Sequence, residues 1–189
     1  GKGKRVKVAG ASEGEMFPLF ELSYPPMTKY LRQTVGEFYD DGEWSQHEVH
    51  ISLPYMGEPI TPSVTALVSP LPSFYKVRPL FNMSGFIPTT LYVVKLEFDG
   101  ELERYLSLEL FWAEEKFTTP YNVSSTLYEF PDAMLLSAEI HQMDKYLEVP
   151  EDLEDRLRAK ALEITLSLTN PLMKLKAIET YLKEYYEYD

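Results

Sequence analysis

Residues 89–112 read TTLYVVKLEF, then Asp99-Gly100, then ELERYLSLELFW. In the second run Leu102, Arg104, Leu106, Leu108, Leu110 and Trp112 fall on one parity, and Glu103, Tyr105, Ser107, Glu109 and Phe111 on the other. Strand side chains point alternately to opposite faces, so this spacing predicts a half-buried strand, with Arg104 the exception on its apolar face. Thr89 to Phe98 is rich in β-branched and aromatic residues and predicts a second strand. An Asp-Gly pair is what a tight hairpin turn requires, so the two runs are expected to pair across Asp99-Gly100.

The same signal recurs upstream. Asp41-Gly42 separates Tyr30 to Tyr39 from a run starting at Glu43-Trp44-Ser45, and the partner strand is expected to reach about Leu53 before Pro54. Met16 to Leu22 reads as a short strand ahead of Pro25-Pro26. Between Ile60 and Phe86, Pro62, Pro70, Pro72 and Pro79 interrupt short apolar runs; proline cannot donate to a ladder, so brief edge strands or loops are expected there. Lys116 to Phe130 is strand-like again, with Val123, Ser125, Leu127 and Glu129 on one parity. Seven to nine strands without an internal repeat predict a sandwich or half-open barrel.

The period changes after Pro131. A short helical run is expected over Asp132–Ile140. From Glu151 onward Leu153, Leu157, Ala161, Ile164 and Leu168 recur at helical spacing, with Glu151, Asp152, Glu154 and Asp155 placed where the helix dipole favours acids. Asn170 before Pro171 is an N-cap followed by the residue best tolerated at the first helical position. Leu172, Leu175, Ile178, Leu182 and Tyr185 continue a second helix. The fold class is therefore α+β: an antiparallel β-sandwich-like domain over residues 15–131, preceded by a basic flexible segment over 1–14, which reads first as a linker and second as a segment held near anionic lipid. A helical segment follows over 132–189.

The chain carries 30 acids against 18 bases, a net charge of −12. Phosphate binding needs a basic face, so no nucleic-acid partner is expected. No apolar run reaches the length of a membrane span. Cysteine is absent, which removes disulfides, zinc thiolates and thiol nucleophiles together. His47 and His50, three apart on an expected strand, point to opposite faces and make no shared metal site. Asp40, Asp41 and Glu43 lack the ligand spacing of a calcium loop, and turn chemistry explains them. No phosphate loop, serine elbow or zinc-protease motif is present. No cofactor or metal is expected. Asn82-Met83-Ser84 and Asn122-Val123-Ser124 have the glycosylation triplet, in keeping with an exported face. Trp44 and Trp112 offer rings that stack on peptide or sugar or that simply fill a core. Tyr181, Tyr185, Tyr186 and Tyr188 crowd the last turns, where they either fold onto the domain or meet another surface; with Trp44 they are the candidate interaction residues.

Three stretches resemble the extracellular portion of membrane-anchored, transglutaminase-like proteins of bacteria and archaea. They are Tyr30-Leu31-Arg32 leading to Phe38-Tyr39-Asp40-Asp41-Gly42-Glu43-Trp44-Ser45; Pro120-Tyr121-Asn122-Val123-Ser124-Ser125; and Tyr146-Leu147-Glu148-Val149-Pro150 with Ala161, Ile164-Thr165 and Lys174 to Tyr188. In the last, Lys176-Ala177-Ile178-Glu179, Tyr181-Leu182 and Tyr188-Asp189 resemble the helix that leads into the catalytic core. The resemblance covers about residues 28–189. It implies that the catalytic cysteine, histidine and aspartate lie downstream, so none is carried over. The expected function is that of a non-catalytic accessory or scaffold region that positions a downstream catalytic domain of the same chain or its protein substrate. The expected location is extracellular or at the cell surface, with membrane attachment only through other segments. Two other readings stay open: a free-standing module that binds peptide or glycan through exposed aromatics, and a hydrolase built on paired carboxylates, which needs a deep pocket with two facing acids.

Overall fold

The computed structural model describes residues 5–7, 18–24, 26, 30–46, 50–62, 68–139 and 147–186. In chain order the elements are β1 (Arg5–Lys7), β2 (Phe20–Ser23), β3 (Phe38–Asp40), β4 (Glu43–Ser45), β5 (Ser52–Tyr55), β6 (Leu71–Pro79), β7 (Met83–Phe86), β8 (Val93–Glu97), β9 (Leu102–Tyr105), β10 (Leu110–Phe117) and β11 (Tyr121–Leu127). Helices α1 (Asp132–Leu136), α2 (Glu151–Thr165) and α3 (Pro171–Tyr185) follow. The chain divides into two compact units, a sandwich unit of residues 15–35 and 48–129, and a helical unit of residues 1–14, 36–47 and 130–189. The fold is α+β, as the alternation and the change of period predict.

The sandwich unit consists of two antiparallel four-stranded sheets, ordered β5-β9-β10-β7 and β2-β6-β11-β8. One core holds them together. Tyr55, Leu102, Phe111, Ala113 and Phe117 from the first sheet meet Tyr75, Val77, Leu96, Tyr121 and Val123 from the second. Strand β6 shows how sequence makes this face: Ser73, Tyr75, Val77 and Pro79 are buried while the residues between them are exposed. The rings interlock edge to face, Tyr55 with Phe111 at 5.1 Å and Phe98 with Phe117 at 4.9 Å, a geometry that adds to simple burial. Buried phenols find partners. Tyr75 Oη donates to Thr90 Oγ1 at 3.0 Å and accepts from Thr90 N at 2.7 Å. Tyr121 Oη donates to the Pro88 carbonyl at 2.8 Å.

Three expectations fail here. Asp99-Gly100 does not make a hairpin: β8 pairs with β11, whereas β9 pairs with β5 and β10. The pair turns the chain from one sheet into the other. The run 102–112 is also not one strand. It reverses through residues 106–109 into a β9–β10 hairpin, with Leu110 opposite Tyr105; Leu108 is buried there and Glu109 takes φ 51°. The third failure is β6, which is a nine-residue inner strand rather than a brief edge. Its prolines sit at its ends. Pro72 pairs only with β11 and Pro79 only with β2, so neither must donate on both sides.

The helical unit contains a small sheet ordered β1-β4-β3. Its β3–β4 hairpin is the one expected at Asp41-Gly42, with φ of 44° and 80° at the two central residues. That double positive φ is the primed turn whose twist suits paired strands, and glycine takes it without steric cost. The strand is shorter than expected: β4 ends at Ser45, and Leu53 belongs to β5 of the other unit.

Helices α2 and α3, expected as a helical hairpin, follow one another across residues 166–170 and are in mutual contact. Asn170 Oδ1 accepts from Leu172 N at 3.0 Å and Met173 N at 3.4 Å, and its Nδ2 donates to the Leu136 carbonyl at 3.2 Å. Asn170→Ala is expected to cost about 1 kcal/mol. Faster amide hydrogen exchange at residues 172–175, with the sandwich amides unchanged, is the corresponding readout.

Candidate functional site

The residues singled out from the sequence fall into two groups in the helical unit. Trp44 lies on β4 beside Tyr39, ring centroids 5.4 Å apart. Behind it a Cβ on Gly36 would stand only 2.7 Å from Trp44 Cβ, so the absent side chain is what admits the indole. Trp44 keeps 41 % of its surface exposed. The second group is on α3. Tyr181 and Tyr185 stack at 4.6 Å, Tyr186 meets Tyr181 at 6.2 Å, and Lys160 of α2 lies 5.6 Å from the Tyr181 ring centroid. Tyr185 and Tyr186 remain mostly exposed. Tyr188 lies outside the described residues. His50 Nδ1 bonds Ser107 Oγ at 2.8 Å, and His47 lies outside the described residues. Among the described residues, no group of three or more histidines or carboxylates could hold a metal ion, and no helix is long and apolar enough to cross a membrane.

Apolar exposure along the hairpin is extensive. Leu157, Leu162, Leu166, Leu175 and Leu182 are all more than half exposed. Thr165 is the buried residue of α2, and α3 contains none.

The sandwich unit carries a cleft that the sequence reading did not anticipate. It is an open cavity of about 940 Å³ at the end of β5 and along the 97–103 turn. Strand register explains its composition. Pro54 stands opposite Glu103, and Glu103 opposite Trp112, so one row crosses β5, β9 and β10 on the outer face. Glu101 and Glu114, two residues further along, share that face. Trp112 Nε1 donates to Glu114 Oε2 at 2.9 Å, and its ring meets the edge of Phe86 at 4.9 Å. On the far wall Lys95 Nζ donates to Glu97 Oε1 at 2.9 Å. That bond, with a second from Asn122 Nδ2 at 3.3 Å, holds the Glu97 carboxyl below the usual carboxylate range. Tyr55 anchors the floor. Its hydroxyl donates to the Glu58 carbonyl and accepts from Leu96 N, both at 2.9 Å, and burial raises its pKa.

The lining contains no serine, threonine, histidine or cysteine, so it offers no hydroxyl–histidine or thiol–histidine pair. Carboxylate hydrolysis needs one acid kept protonated by burial. Glu101, Glu103 and Glu114 are exposed, and Glu97 is shifted the opposite way. What the lining presents is a set of carboxylates beside an indole. Of its residues only Trp112 stood out beforehand; with 30 acids in the chain, no individual glutamate could. The chain finds no match among protein-family models, curated proteins or solved structures.

Proposed function

We propose that this chain is a non-catalytic accessory region of a transglutaminase-like protein, positioning a catalytic domain of the same polypeptide at an extracellular or cell-surface site. The observation that carries the reading is the helical hairpin with its leucines in water. Helices of this length draw most of their stability from packing an apolar face. The exposed Leu157 and Leu162 on α2, Leu166 just past its end, and Leu175 and Leu182 on α3 support a surface that meets further protein, and the resemblance of Lys174 to Tyr188 to the helix entering a catalytic core supports that core as the occupant. Without cysteine, thiol acyl transfer has to come from such a domain.

The reading frame beyond Asp189 is expected to encode a cysteine at a helix start, followed by histidine and aspartate. The longer protein is expected to turn over amides, with Leu166→Glu/Leu175→Glu loosening its two parts to proteolysis, while residues 1–189 alone show no turnover. Amide turnover by residues 1–189, or a frame without cysteine over a domain's length, overturns the reading.

A further inference from the structure

We infer that the cleft of the sandwich unit binds a cationic group, an ammonium or guanidinium carried on a basic peptide. The inference is independent of the accessory reading, since it rests on sandwich residues alone. Four glutamates, Glu97, Glu101, Glu103 and Glu114, line the cleft against one lysine. That lysine, Lys95, is already bonded to Glu97. Glu103 and its neighbours Glu101 and Glu114 put like charges on one exposed face, within reach of a cation from solvent.

The rest of the lining selects the kind of cation. A metal ion requires carboxylates that converge on a point, and no such group exists among the described residues. An organic cation requires instead an aromatic surface and room for its carbon stem. Trp112 supplies the first, held in place by Phe86 on one side and by its bond to Glu114, and indole is the strongest cation–π partner. Tyr55, Met56, Leu96 and Phe98 supply an apolar wall, along which lysine and arginine stems lie while their heads reach carboxylates. A volume of about 940 Å³ exceeds one side chain and admits a short extended segment.

The test is titration of the whole protein with a fluorescein-labelled tetra-arginine peptide, at low and at physiological salt. Binding is expected, weakening as salt rises, with quenching of Trp112 read in a Trp44→Phe background where it is the remaining indole. Glu103→Gln/Glu114→Gln is expected to weaken binding about tenfold or more. The control pair Glu151→Gln/Asp152→Gln, at the start of α2, is expected to change it less than twofold. All four side chains are exposed, so the variants should retain the wild-type circular dichroism, and the control pair is expected to lose at most about 1 kcal/mol per residue at the start of α2. Equal losses in the two pairs, as non-specific attraction to a −12 chain would give, overturn the assignment. So does the absence of binding at low salt, and spermidine binding more tightly than the peptide overturns its peptide part.

Discussion

Phe111→Ala is expected to destabilise the sandwich unit by about 3–5 kcal/mol. Phe111 is 1 % exposed, lies at the centre of the core shared by both sheets and meets Tyr55 edge to face. Truncation removes the transfer energy of the ring and leaves a void that strands on both sides cannot close, because their registers are fixed by ladders. A loss of this size is a large part of the stability of a typical domain. Urea unfolding followed by sandwich-unit amides checks it. Leu166→Ala, with a side chain 85 % exposed, is the matched comparison and is expected to change stability by about 0.5 kcal/mol or less. Similar costs for the two would contradict the burial pattern.

Stability is also expected to fall steeply in alkali. Burial raises the pKa of Tyr75 and of Tyr121 above the ordinary phenol value. The raised folded pKa means that the folded state holds these protons where the unfolded chain releases them. Their contribution is therefore complete below the unfolded value, about 10, and is lost progressively as pH climbs above it. Each such tyrosine adds a slope of about 1.4 kcal/mol per pH unit once the unfolded phenol is ionised. Tyr121→Phe keeps the ring, leaves the Pro88 carbonyl without its donor, and should remove one of these slopes. Denaturant midpoints between pH 8 and 11.5 measure it; a Tyr121→Phe slope equal to wild type would contradict the assignment.

Local turn chemistry is more legible in the sequence than strand pairing. Asp41-Gly42 and Asp99-Gly100 carry the same turn signal, yet the first joins paired strands and the second carries the chain between sheets. The difference lies in what faces each strand from far along the chain: Val123 and Leu96 pair across β11 and β8 with a separation no local window contains. The prolines of β6 misled for a related reason. Proline forbids a donor at one position, not a central place in a sheet, when neighbours on the two sides end at different residues.

The candidate site shows the same divide. Trp112 is a rare residue and draws notice by itself. Glu101, Glu103 and Glu114 gain meaning only through the row Pro54–Glu103–Trp112, which is a property of three strands. Alternation does place Glu101 with Glu103 on one face and Trp112 with Glu114 on one face. It does not say that the two faces are the same.

By itself the sequence determined the change from strand to helix near residue 131, the Asn170 cap and the α2–α3 pair, and the lack of any cysteine side chain. These follow from side-chain period, one cap and composition, all of which act within a few residues or on none in particular. Tertiary structure alone decided which strands share a sheet, that β6 is central, and that scattered glutamates gather around an indole. Those depend on contacts between distant residues, whose energies come from burying faces together and leave no mark in any single stretch.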